Sequence, residues 1–112
     1  MNPWIALWIA IVSEVAGTLA LKASEGLTRL GPTLIVVSGY GAAFYFLSLA
    51  LKAIPVGVVY AIWSGAGLAL ITVAAWFLFD QALDVAALGG LCLILAGIVV
   101  LQFFSKSAQG IG

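Results

Sequence analysis

Four long apolar stretches, separated by short polar breaks, limit most strongly what this chain can fold into. We place them at about residues 4–21, 33–51, 58–79 and 85–104, and each is close to the ~20 residues that a helix needs to cross a bilayer. Only 7% of the 112 residues are charged, against about a quarter in a soluble domain, and the mean hydropathy is +1.29. The sequence therefore predicts an all-α membrane protein, with residues 1–112 forming one domain of four transmembrane helices.

The breaks between the stretches hold most of the charges and set the helix order. They lie at 22–32, 52–57 and 80–84, and Asp84 is placed to cap the fourth helix. Loops this short make neighbouring helices antiparallel. No Lys or Arg precedes the first stretch, which contains Glu14, so we expect it to be mature structure and not a cleaved signal peptide.

Composition excludes several classes of function. Four cationic and four acidic side chains cancel, which leaves no basic surface for nucleic acid. One cysteine, Cys92, and no histidine exclude an internal disulfide and a conventional Cys/His metal site. No nucleophile–base pair is present either, so we expect neither an enzyme nor a protein that needs a metal or cofactor.

Glu14 is the only charged residue well inside a predicted span. An acid at a helix centre costs ~2.5–3.5 kcal/mol on insertion scales, and such residues usually face a bundle interior or a wet cavity. Five residues share the face of Glu14 at helical spacing: Leu7, Ala10, Gly17, Thr18 and Leu21. Three of them are small, and small residues allow other helices to approach closely. We interpret Glu14 as a site for a proton or a positive substrate. The alternative is a protonated glutamate in a fixed interhelical hydrogen bond.

The third stretch carries aromatic side chains at helical spacing. Tyr60, Trp63 and Gly67 lie on one stripe, with Ser64 and Ile71 close to it. Trp63 is too deep for an interfacial belt, so it is a candidate for stacking on an organic cation. Packing is the alternative for each ring.

Further candidates are weaker. Gly65 and Gly67 favour either a bend in the third helix or close packing against a neighbour. Tyr40 and Phe44 of the second stretch could add ring surface to a cation site. Trp4 could do the same or lie in the interfacial belt.

The fourth stretch has Gly90 and Gly97 on one face, with Gly89 adjacent. Such spacing predicts a helix contact seam, either within one chain or between two chains. Because Cys92 and Gln102 are its only modestly polar side chains, a packing or dimer role fits this helix better than substrate binding.

Four helices are few for a cavity that opens alternately to both sides. Many transporters use inverted repeats, and a second copy inserted upside down would supply one here. Lys52 and Lys106 lie on the side of the termini, and Lys22 and Arg29 lie on the other, so the positive-inside rule gives no preferred orientation. We therefore predict an antiparallel homodimer. Its two Glu14 carboxylates would repel each other in one cavity, hold protons when empty and release them to a cation.

Four motifs, "EVAGT", "KASEGLTRLGP", "IPVGVVYAIWSGAG" and "GLCLILAG", together resemble the small multidrug resistance family, and its quaternary-ammonium branch in particular, over nearly the whole chain. The resemblance implies an antiparallel, dual-topology homodimer in a bacterial inner membrane that exchanges protons for hydrophobic aromatic or quaternary cations. By position it implies a set of roles: Glu14 as the shared proton and drug site, Trp63 and Tyr60 as binding aromatics, Tyr40 as a lesser one, Gly65 and Gly67 as the bend, and Gly90 with Gly97 as the dimerisation motif.

The chain departs from this pattern in places. Trp4 stands where a multidrug exporter of the branch has a binding tyrosine, Ala43 replaces a serine, and Asp80 and Ala82 replace a glycine and an arginine. Gly17 stands where the guanidinium-exporting branch typically has a tryptophan, which favours the multidrug branch. The alternatives are a narrower exporter of guanidinium or compatible solutes, a non-transporting assembly subunit and a proton-leak channel.

Overall fold

The computed structural model describes residues 1–104, apart from the side chain of Gln102. It contains four helices in order: α1 (Pro3–Ala23), α2 (Leu30–Ala50), α3 (Val56–Phe79) and α4 (Val85–Val99), which continues as a π-helical stretch over Val100–Phe104. Lys106, which the charge tally uses, lies outside the described residues.

The helix ends differ from the expected ones by a few residues, for local reasons. Asn2 caps α1, because its Oδ1 accepts a hydrogen bond from the Trp4 backbone N–H at 2.8 Å, and Pro3 opens the helix. α2 begins at Leu30, earlier than expected, because its first turn tolerates Pro32: the first N–H groups of a helix have no internal partner.

The fourth helix is shorter than its apolar stretch. α1, α2 and α3 are each long and apolar enough to cross a membrane. α4 has 15 residues, about 22 Å at 1.5 Å per residue, and only its π-helical continuation reaches the predicted end at 104. The expected cap of α4 is confirmed, because the Asp84 carboxylate accepts from the Ala87 backbone N–H at 2.8 Å.

The loop between α1 and α2 is organised by Ser24, whose side chain is fully buried. Its hydroxyl donates to the Leu21 carbonyl at 2.7 Å and accepts from the Leu27 N–H at 3.0 Å. Glu25, Gly26 and Leu27 all have positive φ, which lets the chain turn within a few residues. α2 therefore starts close to the end of α1.

The chain divides into two compact units, one from Met1 to Lys52 with α1 and α2, and one from Ala53 onwards with α3 and α4. In the first unit the helices meet at glycines: a Cβ placed on Gly39 would lie 2.8 Å from the Ser13 carbonyl oxygen and 3.1 Å from the Gly17 Cα. In the second, Gly65 of α3 lies against Ile94 and Ile98 of α4. The expectation that all four helices form one domain stays a prediction.

Candidate functional site

The face of α1 that carries Glu14 is largely covered. Leu7, Ala10 and Gly17 are buried, whereas Glu14 itself is half-buried. Leu21, at the end of this face, is 39% exposed. The carboxylate therefore lies at the edge of a packed helix face, where it stays accessible to a proton or ligand.

Glu14 belongs to a hydrogen-bonded chain that links α1 to α2. Thr18, one turn after Glu14, donates from Oγ1 to the Glu14 Oε1 at 2.8 Å. The same Thr18 oxygen lies 2.7 Å from the Tyr40 hydroxyl of α2. The spacing predicted that Thr18 shares the face of Glu14, but the hydrogen bond to Tyr40 is visible only in the structure.

The Tyr40 ring packs against the backbone of α1 at Gly17, which has no side chain. A Cβ on Gly17 would lie 3.2 and 3.3 Å from two carbons of the ring, so the missing side chain at Gly17 leaves the space that the ring occupies. Sequence reasoning placed Gly17 on the face of Glu14 and gave Tyr40 as a candidate cation-binding ring. The structure brings these two residues into contact.

Gly39 was missed by the sequence reasoning. Of the glycines in residues 1–104, Gly39 is the one whose added Cβ would lie closest to backbone atoms of another helix, which here is α1. A signal for it does exist: Gly39 and the buried Ala43 are small residues four apart, a spacing typical of close contacts between membrane helices.

Two candidate aromatic residues of the first unit, Phe44 and Trp4, lie apart from the hydrogen-bonded chain of Glu14, Thr18 and Tyr40. Phe44 is one turn beyond Tyr40 on α2 and is 63% exposed. Trp4 is ten residues from Glu14, about 15 Å along the axis of α1. It lines an open groove of about 450 Å³ together with Trp8, a residue that the sequence reasoning did not single out.

In the second unit the aromatic stripe of α3 is partly open. Tyr60 is 73% exposed, Ser64 is exposed, and Trp63 and Ile71 are half-buried. Gly67 of the same stripe is buried. Tyr60 and Trp63 therefore present ring surface that α3 and α4 do not cover completely.

Gly65 serves as a packing position within its unit. A Cβ there would lie 2.6 Å from the Ile94 Cγ2 and 2.7 Å from the Ile98 Cδ1. α3 is one α-helix from Val56 to Phe79 through both Gly65 and Gly67. Close packing, the alternative to a bend, therefore describes Gly65 here, and a bend stays a prediction.

The glycines of α4 lie in open space. Within the described part of the chain, a Cβ on Gly89, Gly90 or Gly97 would meet nothing within 4 Å. Of the residues in Val85–Val99, Ile98 is the buried one. Within the described part of the second unit, Gly90 and Gly97 therefore form no contact seam with α3.

Comparison with known proteins identifies the family. The sequence model described as "Small Multidrug Resistance protein" matches residues 2–94. The chain belongs to the small multidrug resistance family. This confirms the resemblance in the sequence, and it makes the chain a multi-pass membrane protein of a bacterial family and not an enzyme.

Several members of the small multidrug resistance family are similar over nearly their whole length. The quaternary ammonium compound-resistance protein QacE of Escherichia coli is 56% identical over 108 residues, which cover 96% of this chain and 98% of QacE. QacF of Klebsiella aerogenes is 53% identical, with 95% and 96% covered. The multidrug transporter EmrE of Escherichia coli K12 is 46% identical, with 96% and 97% covered.

Proposed function

We propose that this chain is a proton-coupled exporter of hydrophobic and quaternary ammonium cations in the bacterial inner membrane. Its similarity to QacE and QacF, which are named for resistance to quaternary ammonium compounds, supports this substrate class. The observation that carries the mechanism is Glu14, a half-buried carboxylate in the middle of α1 that accepts a hydrogen bond from Thr18.

A carboxylate in this position can bind a proton or a cation, but not both. In the proposed cycle Glu14 holds a proton when no cation is bound, since either partner compensates its negative charge. An arriving cation compensates the same charge and displaces the proton. Exchange of one for the other is therefore antiport, and the proton gradient drives export without a further cofactor.

Aromatic rings complete the proposed cation site. Trp63 and Tyr60 are assigned to the faces of a bound cation, since cation–π contacts favour organic cations over hydrated metal ions. Phe44, Tyr40 and Trp4 are assigned to its margin, with Ala10, Gly17, Thr18 and Ser64 as lining. Partial exposure of Trp63 and Tyr60 in the second unit supports this assignment.

We further propose that the working form is an antiparallel homodimer. Two points support it. The four predicted spans place two cationic residues on each side of the membrane, and the glycines of α4 meet no atom of α3. Gly90 and Gly97 are assigned to the contact between the α4 helices of the two copies. Each copy would then supply the inverted half that a transporter needs.

Replacement of Glu14 tests the proposal. The purified protein, reconstituted in vesicles with an imposed proton gradient, should accumulate a quaternary ammonium cation, and Glu14→Gln should abolish this uptake. Glu14→Asp should shift its pH dependence. Glu25→Gln is the matched control, because Glu25 is the other glutamate of the chain and lies exposed in the first loop. Coupled uptake by Glu14→Gln would contradict the proposal.

The same vesicles separate the alternatives. A panel of quaternary ammonium, aromatic cation, guanidinium and betaine substrates distinguishes a multidrug exporter from a narrower one. Proton flux that needs no substrate would indicate a leak channel, and no flux of either kind would indicate an assembly subunit.

A further inference from the structure

The hydroxyl of Thr18 is used differently from those of the other threonines. They donate to backbone carbonyl oxygens three or four residues earlier, at 2.6–2.8 Å: Thr28, Thr33 and Thr72. This is the usual way in which a helical threonine satisfies its own hydroxyl. Thr18 instead bonds to the side chains of Glu14 and Tyr40, at 2.8 and 2.7 Å. Its hydroxyl therefore connects two functional groups on two helices.

We propose that Tyr40 and Thr18 form a hydroxyl relay that positions Glu14 and sets the pH at which it exchanges its proton for a cation. This inference rests on the proposed function, in which Glu14 is the shared site. Tyr40 then has a positioning role in addition to its place at the margin of the cation site, because its phenol hydroxyl acts on Glu14 through Thr18.

The direction of the relay follows from the number of protons available. An ionised carboxylate can only accept hydrogen bonds. Thr18 has one hydroxyl proton, and with Glu14 ionised this proton is donated to Oε1. The Thr18 oxygen must then accept from Tyr40, so the phenol donates to Thr18 and Thr18 donates to Glu14.

Protonation of Glu14 allows the direction to reverse. The carboxylic acid can donate to Thr18, and Thr18 can then donate to the Tyr40 oxygen. Only hydroxyl protons rotate, and no heavy atom has to move. Thr18 keeps both of its hydrogen bonds in either state, but the bond to the ionised form is charge-assisted and roughly twice as strong as a neutral one. The hydrogen bond from Thr18 is therefore strongest when Glu14 is in the form that binds the cation.

The contact between α1 and α2 holds the relay in register. The Tyr40 ring lies against Gly17, and the neighbouring Gly39 brings the two backbones together. Because Tyr40 is positioned by backbone and not by flexible side chains, its hydroxyl has little freedom to leave Thr18. The relay is thus part of the packing of the first unit.

Other titratable groups of the first unit lie away from this network. Tyr45 of α2 is 61% exposed, and its ring meets Phe46 edge-on at 5.2 Å between centroids. The remaining charged side chains lie at the ends of α1 and α2 or in the loop: Lys22, Glu25, Arg29 and Lys52. Lys22 is eight residues from Glu14, about 12 Å along the axis. Within residues 1–52, Tyr40 is therefore the titratable side chain joined to Glu14 by the relay.

Binding of tetraphenylphosphonium to the purified protein, measured across a pH series, tests the relay. For wild type, affinity should rise with pH to a plateau. Thr18→Val should move the midpoint up by about one pH unit, the scale of one charge-assisted hydrogen bond. Tyr40→Phe keeps the ring and should move the midpoint up by a few tenths of a unit. Thr18→Ser should restore the wild-type midpoint, and Tyr45→Phe is the control.

The double variant Thr18→Val/Tyr40→Phe decides whether Tyr40 acts through Thr18. Its midpoint should equal that of Thr18→Val, because Tyr40 has no route to Glu14 once the Thr18 hydroxyl is gone. Additive shifts would overturn the relay, as would a Tyr40→Phe that lowers the plateau and leaves the midpoint unchanged. In both cases a pH-dependent wild type would leave the proposed function standing. Binding by wild type that is independent of pH would refute both.

Discussion

Gly39→Ala should weaken the contact between α1 and α2. The added Cβ would lie 2.8 Å from the Ser13 carbonyl oxygen and 3.1 Å from the Gly17 N and Cα. These are backbone atoms of a regular helix, so none can rotate away as the end of a side chain could. Reaching an ordinary contact distance of 3.4 Å requires the helices to separate by about 0.6 Å. Overpacking of this kind typically costs ~1–3 kcal/mol.

The same separation would disturb the Glu14 network. If the whole separation of about 0.6 Å lengthens the hydrogen bond between Thr18 and Tyr40, the distance between the two hydroxyl oxygens grows from 2.7 Å to about 3.3 Å. This is beyond the usual range for a hydrogen bond between two hydroxyls. We therefore expect Gly39→Ala to lower the apparent Tm of the detergent-solubilised protein by about 4 °C or more. It should also raise the pH midpoint of cation binding.

Gly41→Ala provides the matched control. Gly41 is two residues further along α2, and a Cβ there would meet nothing within 4 Å. Alanine is also the better helix former, so this variant should be as stable as wild type or more stable. The two variants would be compared by thermal unfolding with size-exclusion chromatography, and by pH-dependent binding. Equal Tm values for Gly39→Ala and Gly41→Ala would refute the reasoning.

Three further predictions follow from the proposed function. Trp63→Leu should weaken binding of aromatic cations about fivefold or more, which is the scale of a desolvated cation–π contact. Trp76→Leu, a control on the same helix, should leave this binding unchanged. If Trp63→Leu failed to insert and assemble, a packing role for Trp63 would be favoured. Gly97→Leu should prevent crosslinking between two copies and abolish transport while the chain still inserts, and a normal dimer would place the seam elsewhere. Two lysines added to the 80–84 loop should fix one orientation, and this form should transport poorly until it is co-expressed with one that lacks the cationic residues of the 22–32 loop. Full activity of either form alone would argue for a parallel dimer.

The glycines of α3 and α4 show what helical spacing alone can and cannot predict. Gly65 and Gly67 were equally compatible with a bend and with packing, because a missing side chain serves both. The structure distinguishes them at Gly65, where Ile94 and Ile98 occupy the space of the absent Cβ. For Gly90 and Gly97 the sequence left open a seam within the chain, and the open space around both shows that neither packs against α3.

Sequence alone determined the family and the helical membrane class, and it predicted a role for Glu14. Apolar runs of ~20 residues must form helices because the bilayer offers no partner for unpaired backbone groups, and an acid in such a run is too costly to be incidental. Spacing on α1 also placed Thr18 one turn from Glu14. All of these depend only on the order of residues along the chain, which the sequence states directly.

Tertiary structure decided which groups meet across helices. The register between α1 and α2 places the Tyr40 hydroxyl at Thr18, 22 residues away in the chain, and places Gly39 on the backbone of Ser13. One turn of sliding between the two helices would shift these partners by about 5.4 Å, yet it would leave the apolar pattern of both helices satisfied. Hydropathy therefore cannot fix the register. Close backbone contact at Gly17 and Gly39 fixes it, and with it the hydrogen bond between Thr18 and Tyr40.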